Sequence, residues 1–181
     1  MTMERIGEQE RRTLICHLVE EMRKADSWAG QTQIQKSVVF LQELLGVPMG
    51  YDFILYKHGP FSFELRSELA IMRVRLQLDL EPHRWYGPSF VLEVWGRKAL
   101  ELSTKYDDAI EFVAKEISVK DTRSLERIST AFFLQNKYPS RNASQTASEV
   151  NRLKPHISTE QALRAIEEVD ELRQRAAAIK S

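Results

Sequence analysis

The sequence predicts a mainly helical α+β chain with a small antiparallel β-hairpin: a winged-helix-like N-terminal half over residues 8–118 and a helical extension over 119–181. Three observations predict it. Apolar residues recur at helical spacing through most of the chain. Two short alternating runs, after the third helical segment, enclose a connection bounded by Pro82 and Pro88. From Leu100 onward only helical periodicity remains.

Leu14, Leu18 and Met22, with Ile15 and Val19 beside them, define a first helix over about Glu8 to Lys24, and Asp26 to Gly30 breaks it. Thr32 and Gln35 have the spacing of a capping box for a second helix, whose face is Ile34, Val38, Leu41 and Leu45, with Gly46 as its C-terminal cap. Tyr51 to Tyr56 suits a short strand that Gly59-Pro60 stops. Ser62 can cap a third helix with a face of Leu65, Leu69 and Met72, ending near Arg75. Leu76, Leu78 and Leu80, then Phe90, Leu92 and Val94, alternate with other residues as a hairpin would require. Trp95 to Leu100 looks like the start of the helix that follows the wing in many winged-helix regulators.

In the C-terminal half, Leu102, Ala109, Phe112 and Val113 mark one helix, and Leu125, Ile128, Ala131, Phe132 and Leu134 another. Pro139 to Ser144 reads as a linker and Thr146 to Leu153 as a short helix. Ser158 with Gln161 caps the last helix, whose narrow stripe of Ala162, Ala165, Ile166, Val169 and Leu172 can pack on its own domain or against a second subunit. A homodimer is therefore expected.

Composition excludes several classes. The chain of 181 residues has 26 Lys and Arg against 26 Asp and Glu, so no global positive field drives nucleic-acid binding, and a DNA contact needs a local patch. Its one cysteine, Cys16, excludes an internal disulfide and a cysteine-only zinc site, and its apolar neighbours suggest a buried thiol in a reducing compartment. The charged start, Met1 to Arg12, has no apolar stretch, and no later run approaches the ~20 apolar residues of a membrane span, so a cytoplasmic location is expected. His17, His58, His83 and His156 lack metal-ligand spacing, and there is no glycine-rich phosphate loop or nucleophile elbow. A non-enzymatic protein without metal or cofactor is the expectation.

The chemically decorated segment is Tyr51 to Leu69. Gly59, Pro60 and Ser62 can serve a purely geometric strand-to-helix corner, or Lys57 and His58 can join the free amides of the third helix as an anion site. If the third helix enters a major groove, its outward residues are Glu64, Arg66, Ser67, Glu68, Arg73 and Arg75. At the hairpin tip, Arg84 and Trp85, with His83 and Tyr86, can grip a minor groove, or the two aromatics can fold back over the sheet. The candidate nucleic-acid or partner-binding residues are Lys57, His58, Ser62, Arg66, Arg73, Arg84 and Trp85.

Gln35-Lys36-Ser37-Val38-Val39-Phe40-Leu41, then Tyr51-Asp52-Phe53, Tyr56 to Ser62 and Tyr86-Gly87-Pro88 together resemble a group of small prokaryotic proteins called YwgA-like. They are more distantly similar to the Panacea domain of SocA-like antitoxins, over about residues 30 to 90; Lys154 to Ser158 can extend the match. The YwgA-like resemblance implies no activity, and the Panacea one implies holding a partner protein, often a toxin. Two functions follow as expectations: DNA binding with a regulatory role, and, as the alternative, a protein-interaction module of antitoxin or adaptor type. A small-anion or hydrolytic role rests on the corner alone.

Overall fold

The computed structural model describes residues 5–180, with side chains through Ile179. Met1 to Glu4 of the charged start, and Ser181, lie outside the described residues. The elements in order are α1 (Glu8–Lys24), α2 (Gln31–Glu43), β1 (Ile54–Tyr56), β2 (Gly59–Phe61), α3 (Phe63–Val74), β3 (Leu78–Glu81), β4 (Ser89–Leu92), α4 (Val94–Ala99) and α5 (Asp107–Val113). A π-helical turn, Ala114–Ser118, extends α5; then come α6 (Thr122–Lys137), α7 (Ala143–Leu153) and α8 (Thr159–Lys180). The molecule is mainly helical with two small antiparallel hairpins, β1–β2 and β3–β4.

Helix α2 is the axis of the fold. Every residue from Gln33 to Leu41 is buried, because the helix is enclosed by α5, the π-turn, α6 and β2. Phe40 stacks on Phe132 of α6 with ring centroids 4.5 Å apart, which couples the two halves of the chain. One apolar core runs from Leu14 in α1 to Ala176 in α8, and α8 covers it by packing on α6 and α7. No helix among the described residues is long and apolar enough to cross a membrane.

Several expectations change in detail, each for a local reason. The expected strand Tyr51 to Tyr56 is shorter, and Gly59-Pro60 does not stop it but opens its partner: Tyr56 pairs with Gly59, Leu55 with Pro60 and Ile54 with Phe61. Gly59 takes φ +92°, a backbone other residues rarely adopt, so the chain reverses within two residues. Thr32 and Gln35 form no capping box; Gly30 precedes α2 without a side-chain cap, and the Gln35 amide bonds elsewhere. The hairpin after α3 is present with Leu78 opposite Leu92, but Val94 and Trp95 lie in α4 rather than in the strand. Leu102 lies outside any helix and is exposed. Asn142 and Gln145 form a full capping box, so α7 begins at Ala143, inside the expected linker.

Helix α3 is held by charge. Its inward row is Leu65, Glu68, Leu69 and Met72, so Glu68, expected outward, is buried at 4% exposure. At about 100° per residue, residue 68 falls inside the arc of 65, 69 and 72, which faces the core. Glu68 accepts hydrogen bonds from Arg11 Nε at 3.3 Å, Arg12 Nε at 3.2 Å and the Tyr51 hydroxyl at 2.6 Å. Burial and the neighbouring Glu68 carboxylate push the Tyr51 hydroxyl well above its ordinary pKa, so it stays a donor. Removing the charge with Glu68→Gln leaves two buried guanidinium groups around a neutral amide. Urea unfolding should show a loss of roughly 3–5 kcal/mol; a loss below about 1 kcal/mol would contradict this role for Glu68.

Candidate functional site

The segment 51–62 is fastened to α2 by three of that helix's polar side chains, the adjacent Gln35 and Lys36 and, two turns on, Gln42. The Gln42 amide pairs with the Tyr51 peptide, accepting its N–H at 2.8 Å and donating to its carbonyl at 2.9 Å. Gln35 does the same for Ser62, at 2.8 Å and 2.9 Å. Between them the Lys36 ammonium donates to the Pro60 carbonyl at 2.6 Å. From the opposite side, Lys154 at the end of α7 donates to the Tyr56 carbonyl at 2.6 Å and also to that of Lys57.

The two buried ammonium groups share one carboxylate. Lys154 Nζ lies 3.6 Å from Glu126 Oε1, and the exposed His156 ring reaches Glu126 Oε2 at 3.3 Å. Lys36 is 2% exposed. Its burial pulls the pKa down to about 8, against the pull of Glu126 and with the help of Lys154. A Cβ at Gly59 would lie 3.0 Å from Ser129 Oγ and 3.1 Å from Thr130 Oγ1, so the turn presses directly on α6.

This clamp fixes what α3 shows to solvent. Ser62 caps the helix by accepting the Leu65 N–H at 3.3 Å. The outward row is Phe63, Arg66, Ser67, Ala70, Ile71 and Val74, with Val74 85% exposed. Tyr56 and Phe61 pack around Phe63, with ring centroids 5.1–5.6 Å apart, and extend the apolar surface onto the hairpin. At the other end, exposed Leu76 precedes β3 and its carbonyl accepts the N–H of exposed Trp95. Arg66, Arg75 and Lys57 are exposed with no carboxylate partner among the described residues, whereas Arg5 holds Glu64 and Arg73 lies 3.8 Å from Asp79.

The sequence candidates fall in three places. Lys57 and His58 occupy the β1–β2 turn, and strand β2 separates them from the start of α3, about 13 Å from His58 to Ser62 for an extended chain. Ser62 is buried and occupied by capping, while Arg66 and Arg73 are on the outside of α3. Arg84 and Trp85 stand together at the β3–β4 tip, the guanidinium 5.2 Å from the indole centroid. Trp85 is 80% exposed and does not fold over the sheet; Tyr86 instead meets Trp28, 5.2 Å between centroids, and remains exposed.

Lys36, Glu126 and Lys154 escape single-sequence reading, because each is a charged residue whose partner is distant in the chain. The outer row of α3 was readable: Phe63, Ser67, Ala70, Ile71 and Val74 keep helical spacing. The chain matches no known family model, and no curated protein is significantly similar to it.

Because Lys36 has a folded pKa near 8 against an ordinary 10.5, the unfolded chain binds the extra proton between those values, and stability contributed at this site rises as pH climbs from about 8 to 10.5. Cys16, pushed up to about 12 by burial, works in the opposite sense. The difference in unfolding free energy between wild type and Lys36→Met cancels that contribution. It should grow in favour of wild type by roughly 3 kcal/mol across this window; a flat difference would show that Lys36 is not desolvated as described.

Proposed function

We propose that this is a non-enzymatic protein-interaction module that holds a partner protein on the outer face of α3. The observation that carries the reading is the exposed apolar row Phe63, Ala70, Ile71 and Val74, widened by Tyr56 and Phe61. A row about 18 Å long at 1.5 Å per residue suits an amphipathic helix laid alongside it. Charge specifies that helix further. The uncompensated Lys57, Arg66 and Arg75 favour a partner segment with acidic residues flanking its apolar face. The likeness of residues 30–90 to the Panacea domain, which implies a held partner such as a toxin, points the same way.

A second reading, winged-helix DNA binding with a regulatory role, draws support from the exposed Arg84–Trp85 tip and from the order of three helices followed by a hairpin. Phe63, Ile71 and Val74 weigh against it, because a recognition helix places polar side chains on base edges and phosphates.

A photo-crosslinking residue at Ile71 or Val74, with Gln174 on α8 as control, separates the readings in the native cell. The expected outcome is one defined protein adduct at 71 and 74 and none at 174. The purified adduct partner should then bind wild type directly, and Ile71→Asp about tenfold or more weakly. DNA adducts at these positions, or salt-sensitive binding of random duplex DNA that Arg66→Ala with Arg84→Ala abolishes, would overturn the protein reading in favour of the second.

A further inference from the structure

Away from α3, a cleft of about 830 Å³ opens between the start of α2, the β3–β4 hairpin and the start of α6. One wall is aromatic: Trp28 lies 4.0 Å from His83 and 5.2 Å from Tyr86 between ring centroids. The hairpin is anchored over it by the Phe90 N–H, which donates to the Ala29 carbonyl at 2.9 Å, and by the 2.9 Å contact of His83 Nε2 with Ser89 Oγ. The floor is Gly30. A Cβ there would lie 2.7 Å from Trp28 Cδ1 and 3.0 Å from Gln33 Oε1, so the indole edge and the Gln33 carboxamide converge on one spot.

Gln33 is the informative residue. It is 7% exposed and lines the cleft, yet its carboxamide has no hydrogen-bond partner among the described residues. Neither amide atom is sealed from solvent, so the carboxamide opens onto the cleft and is free to pair with a bound molecule. Its neighbours on α2 treat the same functional group differently: Gln35 and Gln42 are both fully paired with backbone. The first N–H groups of α2 are also uncapped at this end, since Gly30 offers no side chain.

We propose that the cleft binds an adenine ring, stacked against Trp28 and read along its donor–acceptor edge by the Gln33 carboxamide. Glutamine pairs in two-point fashion with the adenine amino group and adjacent ring nitrogen, and aromatic side chains stack on any base face. Charge favours the nucleoside over its phosphate. Arg23 is bonded to Glu81 at 3.4 Å and Lys120 to Glu168 at 2.6 Å, while Asp26 and Asp121 also line the cleft.

The test titrates adenosine, AMP and guanosine into the full chain, read by thermal midpoint and by tryptophan fluorescence. Adenosine should raise the midpoint and change the emission, AMP should bind no more tightly, and guanosine should bind about tenfold or more weakly. Gln33→Met should lose about tenfold or more in adenosine affinity while its ligand-free midpoint stays at that of wild type, an outcome a structural role for Gln33 does not produce. Trp28→Phe should retain the fold and weaken binding. No response of wild type to millimolar adenosine, equal affinity for guanosine, tighter binding of AMP, or unchanged affinity in Gln33→Met would each overturn the assignment. The α3 crosslinks are independent of this result, since no α3 residue lines the cleft.

Discussion

The fold depends on satisfying the backbone of residues 51–62 from within the core. Where a short hairpin presses on the buried stretch Gln33 to Leu41 of α2, its free peptide groups cannot turn to water, and an unpaired buried carbonyl or amide is costly. Helix α2 supplies the partners through Gln35, Lys36 and Gln42, and Lys154 closes the remaining carbonyls from the far side. This explains why a helix buried all round carries polar residues at all. Glu126 then balances the two ammonium groups, which makes α6 and α7 part of the same device.

From that constraint the exposed surfaces follow. With the hairpin clamped, Ser62 starts α3 at a fixed angle, and the Glu68–Arg11–Arg12 cluster sets its rotation. The rotation turns Leu65, Leu69 and Met72 inward and leaves Phe63, Ile71 and Val74 outside. Apolar exposure of this kind on a well-packed helix is the usual mark of an interaction site. The cleft at Trp28 lies on a different part of α2, at its first turn, where the β3–β4 hairpin rather than β1–β2 makes the opposite wall.

Much of this was legible locally. The periodicity of Leu14, Leu18 and Met22 located α1 to its observed ends, and Ser62, Ser158 and Gln161 act as the caps their spacing suggested. The failures share one cause, which is that local pattern competes with distant partners. Gln35 matched a capping box with Thr32, but a buried peptide 27 residues away captured it. Glu68 reads as a surface residue until Arg11 and Arg12, more than 50 residues earlier, neutralise it. Gly59-Pro60 carries a stop signal, yet with Gly59 at positive φ it begins the second strand of a hairpin whose first strand the sequence did show. The unpaired Gln33 has no local signature at all, because a missing partner is visible only in three dimensions.

The central claim is that buried lysines hold the hairpin in place, and native-state hydrogen exchange of Lys154→Met tests it directly. The lost ammonium made two hydrogen bonds to hairpin carbonyls, and charge-assisted bonds contribute about 1.5–3 kcal/mol each. The amides of residues 54–59 and of Phe61 should therefore exchange about tenfold or more faster than in wild type, with the α1 amides changed far less. Hairpin exchange equal to wild type, or a uniform loss of protection across α1 and the hairpin alike, would contradict the account.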